Sequence, residues 1–220
     1  MKFIKLFTLA ISLVSLFACG GGGGGGSSTQ GVRILHGAIE LSQIDAISSL
    51  SETGEAFTTA NFGDSSSYQA VPFEEQSFRI VTHNNSGDTI SSVSGTIENR
   101  HTIMLYGTEG TTGNKIAFFN DEPGDFVSGS AKVRLLNGVA AAAALDILID
   151  GSSISSGVSF GSASEYLDVS AGVHTLLVRR SADHATVFSG SLTFEESRAY
   201  TMFTGGEAGY FAFGRFLVDQ

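Results

Sequence analysis

The chain has 220 residues, of which 12 are Lys or Arg and 22 are Asp or Glu, so its formal net charge is −10. Without Lys2 and Lys5, which lie in the first 18 residues, the remainder carries 10 − 22 = −12. A surface this acidic repels phosphate backbones and anionic lipid headgroups, which argues against nucleic acid as a partner. Hydrophobic residues make up 42% of the chain, which is too many for a disordered protein.

The first 18 residues have the three parts of an export signal. Lys2 and Lys5 give a positive start, the apolar run of residues 6–18 follows, and the small residue Ala18 comes last. A membrane-spanning helix needs about 20 apolar residues, more than this run supplies. We therefore predict that residues 1–18 are a signal peptide, and we find no later stretch that is long and apolar enough to span a membrane.

The residue that follows the signal is Cys19, which is the one cysteine of the chain. The preceding residues, Leu16-Phe17-Ala18, resemble the lipobox of bacterial lipoproteins, although that motif has a small residue where Phe17 stands. The resemblance implies that lipid is attached to Cys19 and anchors the protein in the cell envelope. A glycine after the cysteine implies the outer membrane, at its periplasmic face or at the cell surface. The alternative is an ordinary secretory signal that happens to end at a cysteine.

Residues 19–30 are expected to form a tether between the lipid and the folded part. Seven consecutive glycines occupy residues 20–26, and Ser27, Ser28 and Thr29 follow them. Glycine and serine give a flexible coil with no surface to bury.

Beyond the tether, the chain repeats itself at a spacing close to 100 residues. The matching segments are VRILHG at 32–37 and VRLLNG at 133–138, YQAV at 68–71 and YLDV at 166–169, and residues 100–107 and 198–205. Such a long period indicates duplicated domains rather than a short-repeat solenoid. We predict a first copy at residues 31–120, a linker at 121–130 and a second copy at 131–220.

Each copy has the pattern of short strands separated by turns. In the second copy, residues 145–149 (LDILI) run into the turn dipeptide Asp150-Gly151. No segment of ten or more residues has convincing helical periodicity. About seven strands per copy is typical of a sandwich, so we predict an all-β fold of two tandem immunoglobulin-like antiparallel β-sandwich domains. The phenylalanine-rich segments 116–119 and 210–216 either close their own copies or cross to the neighbouring one.

The order of these motifs resembles a bacterial family known as domain of unknown function 4397. The resemblance rests on V-R-[IL]-L-[HN]-[GA] at the start of each copy and a Tyr-Thr strand that ends at glycine, and it covers about residues 32–205. The first copy has His101-Thr102 where the family pattern has Tyr-Thr. The resemblance implies cell-envelope proteins with immunoglobulin-like domains, often in tandem, and it implies no activity.

One catalytic pattern is present, since residues 157–161 fit G-x-S-x-G with Ser159 at the centre. In α/β-hydrolases this pentapeptide forms a turn from a strand into a helix and exposes the serine. The surrounding sequence has no alternation of strands and helices, and the first copy has Asn61 at the matching place. We therefore predict that the protein is not an enzyme and keep an esterase that uses Ser159 as a competing hypothesis.

The remaining polar residues indicate neither a cofactor nor a metal. The five histidines lack ligand spacing, and we expect His36 and His174 to be packing or surface residues of strands. Residues 83–88 and 121–125 have oxygen-rich side chains that suit calcium, but neither segment matches the spaced-aspartate loop of known calcium sites.

Two pairs of charged residues recur at matched positions of the two copies. Asp45 and Asp146 could hold a ligand, but we favour carboxylates that cap backbone N–H groups at strand ends. Arg33 and Arg134 each lie mid-strand opposite apolar neighbours, and we expect sheet-surface arginines whose salt bridges contribute little to stability.

The sequence thus favours a lipid-anchored envelope protein without catalysis, which touches the membrane through its N-terminal lipid and binds an envelope protein or polysaccharide with loops and strand edges. A passive spacer of the envelope is the alternative.

Overall fold

The computed structural model describes residues 31–83, 88–109 and 112–219. The predicted signal peptide, Cys19 and the tether lie outside the described residues. Within the described ranges the chain forms fifteen strands and no helix. That part of the chain accordingly has no helix that could cross a membrane.

Seven strands belong to the first copy: β1 (Gly31–His36), β2 (Gln43–Ser48), β3 (Thr58–Asn61), β4 (Glu75–Thr82), β5 (Thr89–Thr96), β6 (Arg100–Tyr106) and β7 (Lys115–Asn120). Eight belong to the second: β8 (Ser130–Asn137), β9 (Ala144–Ile149), β10 (Ser152–Ser159), β11 (Leu167–Ser170), β12 (Gly172–Arg180), β13 (Thr186–Phe194), β14 (Ala199–Glu207) and β15 (Phe211–Val218).

Each copy folds into two facing sheets with a hydrophobic core between them. The sheet orders are β3-β2-β4-β5 and β1-β6-β7 in the first copy, and β10-β9-β12-β13 and β11-β8-β14-β15 in the second. Fully buried side chains such as Ile34 and Ile80 fill the first core, and Leu135 and Leu176 fill the second. The predicted all-β fold of two tandem sandwiches is confirmed. The phenylalanine-rich strands β7 and β15 pair with β6 and β14 and so close their own copies.

One pair of strands in each copy departs from the predicted antiparallel arrangement. β1 runs parallel to β6, and β8 runs parallel to β14. Parallel neighbours need a long connection, and here the whole facing sheet lies in the chain between the two strands. The register also corrects the match between residues 100–107 and 198–205 by one residue. Arg33 pairs with Thr102 and Arg134 pairs with Thr201, and these two threonines are 201 − 102 = 99 residues apart.

The two copies pack sheet against sheet, so the four sheets form one stack. The outer faces of the sheets that contain β1 and β8 enclose a third buried cluster, formed by Leu35, Met104, Tyr106, Leu136 and Phe203. Every residue of β1 and β8 is buried, because one face lies on the core of its own copy and the other on the neighbouring copy. The matched residues Leu35 and Leu136 both belong to this cluster, one from each copy.

The backbones of the two copies approach each other closely at Gly37 and Gly205. The N–H of Gly206 donates a hydrogen bond of 3.1 Å to the carbonyl of Gly37. A Cβ atom on Gly205 would lie 2.9 Å from the Cα atom of Gly37, which is closer than real side chains come. Glycine at this position therefore permits the close approach of the two chains.

Candidate functional site at the junction of the two copies

Arg33 and Arg134 lie inside the junction, and each is only 3% exposed. The prediction of sheet-surface arginines is therefore wrong. The prediction fails because the face of β1 and β8 that is turned away from the sandwich core is covered by the other copy rather than by water.

Each arginine joins its own copy to the other one. Arg33 donates from Nε to Thr102 Oγ1 of the same copy at 2.8 Å, and from Nη2 to Asp219 Oδ1 of the second copy at 2.5 Å. Arg134 donates from Nε to Thr201 Oγ1 of its own copy at 2.9 Å, and from Nη2 to Asp121 of the first copy. The two halves are therefore reciprocal, because the arginine of each copy pairs with an aspartate of the other copy. This reciprocity relates the two copies by an approximate two-fold axis.

A tyrosine and a threonine complete the hydrogen bonds of each carboxylate. Asp121 accepts from Tyr68 Oη at 2.7 Å and Thr102 Oγ1 at 2.5 Å. Asp219 accepts from Tyr166 Oη at 2.7 Å and Thr201 Oγ1 at 2.6 Å. The tyrosine rings also stack against the guanidinium groups, with Arg33 Cζ 4.8 Å from the Tyr68 ring centre and Arg134 Cζ 4.6 Å from that of Tyr166. We call these eight residues the ion cluster: Arg33, Tyr68, Thr102, Asp121, Arg134, Tyr166, Thr201 and Asp219.

Opposite charges in the ion cluster keep Arg33 and Asp121 ionised. Burial by itself would lower the pKa of Arg33, but the nearby carboxylates of Asp219 and Asp121 outweigh it and raise that pKa. Burial would likewise raise the pKa of Asp121, but Arg134 and Arg33 outweigh it and lower that pKa. Burial raises the pKa of the Tyr68 hydroxyl, which therefore stays a hydrogen-bond donor.

Sequence reasoning found only part of the ion cluster. It matched Arg33 with Arg134, and the YQAV and YLDV segments contain Tyr68 and Tyr166. It missed Asp121, which it placed in the linker, and Asp219 near the end of the chain. The signal was available, since the two aspartates are 219 − 121 = 98 residues apart, which is the spacing of the repeat.

A cleft of about 450 Å³ opens beside the ion cluster, between the two copies. Phe119 and Asn120 of β7 line one side, and residues 161–166 of the second copy line the other. Arg134 and Tyr166 of the ion cluster also line it, as does Glu122. The walls of this concave surface therefore belong to two domains that the ion cluster joins.

Ser159 lies at the end of β10, where it pairs with Ala144. The residues that follow form a turn, closed by a hydrogen bond of 3.0 Å from Ser162 N–H to the Ser159 carbonyl. A turn from strand to helix, which the hydrolase motif requires, is therefore not what this pentapeptide forms.

A different serine takes part in a hydrogen-bonded chain that the sequence reasoning missed. Ser170 Oγ lies 3.2 Å from His174 Nε2, and His174 Nδ1 lies 2.6 Å from Asp150 Oδ2. Asp150 Oδ1 accepts a hydrogen bond of 2.8 Å from the Thr175 N–H. The three residues come from β11, β12 and the turn after β9, so only the fold brings them together.

Of the matched aspartates, Asp146 accepts from a backbone N–H, as we favoured, whereas the contacts given for Asp45 are with side chains. Asp146 accepts from the Gly157 N–H at 3.1 Å and from Ser181 Oγ at 2.6 Å. Asp45 accepts from Thr59 Oγ1 at 2.7 Å and contacts His83 Nδ1 at 2.8 Å.

The described residues contain no group of three or more His, Cys, Asp or Glu side chains that could hold a metal ion. Of the two oxygen-rich segments, residues 84–87 of the first lie outside the described part of the chain. In the second segment, the Asp121 carboxylate accepts hydrogen bonds from Arg134, Thr102 and Tyr68.

Comparison with known proteins places both copies in one family. The family model described as "Domain of unknown function (DUF4397)" matches residues 30–138 and again residues 131–218. A search of curated proteins found no match. Since the two matches together span most of the chain, the protein belongs to this family.

Proposed function

We propose that this member of the domain of unknown function 4397 family is a lipid-anchored cell-envelope protein that binds a partner and does not catalyse a reaction. The observation that carries the proposal is the cleft of about 450 Å³ at the junction. Binding to a surface of fixed shape loses less conformational entropy than binding to a mobile one. The ion cluster supplies that rigidity, because it ties the domain on one side of the cleft to the domain on the other.

Lipid attachment at Cys19 is the second part of the proposal, and the sequence of the signal peptide supports it. The folded part begins at Gly31 in β1, so the tether of residues 19–30 would join the lipid to one end of the central sheets. The partner would then be an envelope protein or polysaccharide, reached from the outer membrane.

Labelling with radioactive palmitate in a Gram-negative host tests the anchor. We expect label and membrane association in the full chain, and neither in a Cys19→Ser variant, since the thioether requires that thiol. Palmitate label on the Cys19→Ser variant, or no label on the wild type, would contradict lipidation at Cys19.

A photo-crosslinking amino acid placed in the cleft tests partner binding. We expect a discrete adduct in intact cells with the crosslinker at Ser162, which lines the cleft, and no adduct with it at Ser191, an exposed residue of β13. A passive spacer predicts no adduct that is specific to Ser162, so that outcome would favour the spacer.

The Ser170–His174–Asp150 chain favours one competing function, an ester hydrolase. Ser170 Oγ would attack the ester carbonyl while His174 takes its proton and passes it to the leaving alcohol, and water would then release the acyl group. A fluorophosphonate probe that labels the wild type but not a Ser170→Ala variant would establish this function. Labelling lost in Ser159→Ala instead would revive the hypothesis based on Ser159, and our proposal predicts no labelling of either serine.

A further inference from the structure

The approximate two-fold symmetry of the junction produces two grooves, of which only one is open. The open groove is the cleft beside Arg134. Its counterpart lies beside Arg33 and is lined by Gly63 and Asp64, which match Gly161 and Ser162 of the cleft at the repeat spacing of 98 residues (161 − 63). We call the counterpart the filled groove.

A partly exposed arginine side chain spans the filled groove, since the side chains of Arg215 and Asp64 are 46% and 41% exposed. Arg215 of β15 crosses from the second copy to the first, where its Nη1 donates to the Gly63 carbonyl at 3.2 Å and also contacts Asp64. The Phe213 ring packs above it against Phe62, with ring centres 5.4 Å apart. The protein itself therefore shows which side chain fits a groove of this construction.

The cleft lacks both members of that bridge. Arg215 pairs with Phe203 in the β14–β15 hairpin, and the matching pair in the first copy is Met104 with Ala117. Ala117 thus stands where Arg215 would be, and Ser162 stands where Asp64 would be. Both replacements are small and uncharged, and Ser162 lines the cleft together with Gly161.

The charges at the cleft favour a cation. Glu122 and Glu165 line the cleft and are exposed, whereas Ser67 takes the place of Glu165 in the filled groove. The charge of Arg134 is already matched by Asp121. Lys115, whose Nζ lies 5.9 Å from the Phe160 ring centre, is outside the lining, so the charged residues of the lining are the two glutamates and Arg134.

We propose that the cleft binds an arginine side chain presented by a protein partner, at the place that matches Arg215 in the filled groove but with Glu122 and Glu165 in the role of Asp64. This inference rests on the proposed binding function and specifies the class of partner. The guanidinium would be held by the carboxylates of Glu122 and Glu165 and by the carbonyl at Gly161, and its alkyl stem would lie on Phe119.

The direct test is a titration of the full chain, purified in detergent, with N-acetyl-arginine amide, followed by amide chemical shifts. We expect shifts confined to residues 161–166 and to the end of β7. N-acetyl-citrulline amide has nearly the same shape without the charge, and we expect it to bind about tenfold more weakly. Equal binding of the two probes, or no shift at these residues, would overturn the inference.

A variant that copies the bridge into the cleft gives the matched test. Ala117→Arg combined with Ser162→Asp should fill the cleft and abolish the response to the arginine probe, while the free energy of unfolding shows that the protein is still folded. The control is Arg215→Ala, which empties the filled groove and should leave binding at the cleft intact. Unchanged binding in the filled variant would contradict the inference.

The two proposals fail in different ways. A crosslinked adduct at Ser162 in cells, together with no response to the arginine probe, would retain the binding function and reject the arginine. A response to a neutral disaccharide but not to the arginine probe would also reject the arginine, and would identify a polysaccharide as the partner instead.

Discussion

Arg33 and Asp219 form one of two buried ion pairs that link the copies, with side chains 3% and 1% exposed. A buried charge that loses its partner keeps its desolvation cost, so breaking such a pair costs about 3–5 kcal/mol, far more than an exposed pair contributes. Because the cluster is reciprocal, the same reasoning applies to Arg134 and Asp121.

A double-mutant cycle measures the coupling free energy between Arg33 and Asp219. We expect Arg33→Met to lower the free energy of unfolding by about 3–5 kcal/mol, and Arg33→Met with Asp219→Asn to cost less than the sum of the single changes. The control is Arg198→Met, which removes an exposed bridge to Glu195 and should cost less than about 1 kcal/mol. Strictly additive effects of the two buried substitutions would contradict the coupling.

His36 is a fully buried titratable residue outside the ion cluster. Burial lowers its pKa from 6.5 to about 4, while its Nε2–H donates to the Leu41 carbonyl at 2.9 Å. Its Nδ1 is buried without a hydrogen-bond partner among the described residues. Protonation therefore favours the unfolded chain, and stability is lost as the pH falls from about 6.5 towards 4.

Replacing His36 by Asn, the residue at the matched position of the second copy, tests this pH dependence. Urea unfolding of the wild type should lose about 2 kcal/mol more between pH 7 and pH 5 than that of His36→Asn. His184→Asn, at an exposed turn, should behave like the wild type. Equal losses in all three proteins would show that His36 is not the group responsible.

At the residue scale, the sequence predicted which positions match between the two copies better than it predicted what surrounds each residue. Arg33 and Arg134 were paired correctly, but a polar residue within an alternating strand has the same pattern whether water or a second domain covers it. The hydrogen bond from the Gly157 N–H to Asp146 was predictable because Asp side chains commonly accept from nearby backbone N–H groups. The Ser170–His174 contact was not, because it depends on how β11 and β12 approach each other.

At the scale of elements, β1 and β8 are the centre of the molecule, since each is buried on both faces. Turn residues and apolar alternation were enough to predict the short strands and the sandwich. They could not predict that β1 would pair with β6 in parallel, because alternation describes the faces of a strand and not the direction of its neighbour.

The contact between Gly37 and Gly205 offers a test of this packing. We expect Gly205→Ala to cost about 1–3 kcal/mol of stability, because the added Cβ would meet the Cα atom of Gly37 at 2.9 Å and the Phe213 ring at 2.7 Å. In the control Gly190→Ala, the nearest atoms belong to the end of the Phe188 ring at 3.1 Å, which can move aside. Equal costs for the two substitutions would contradict a tight junction at Gly205.

At the scale of the whole molecule, the repeat spacing predicted two similar domains but did not show whether they touch. They share a hydrophobic cluster around Leu35 and Leu136 together with the ion cluster. A junction that is both apolar and matched in charge resists hinge motion, and the shape of the cleft depends on it. We therefore infer that the two copies form one rigid body.

Pulsed electron spin resonance between one label in each copy measures whether the junction is rigid. The labels would be attached to cysteines at the exposed Ser92 of β5 and Ser189 of β13, with Cys19→Ser to leave those two thiols alone. We predict a single narrow distance distribution in the folded protein, which broadens when Arg33→Met and Arg134→Met remove the ion cluster. A broad or multiple distribution before those substitutions would contradict the rigid junction.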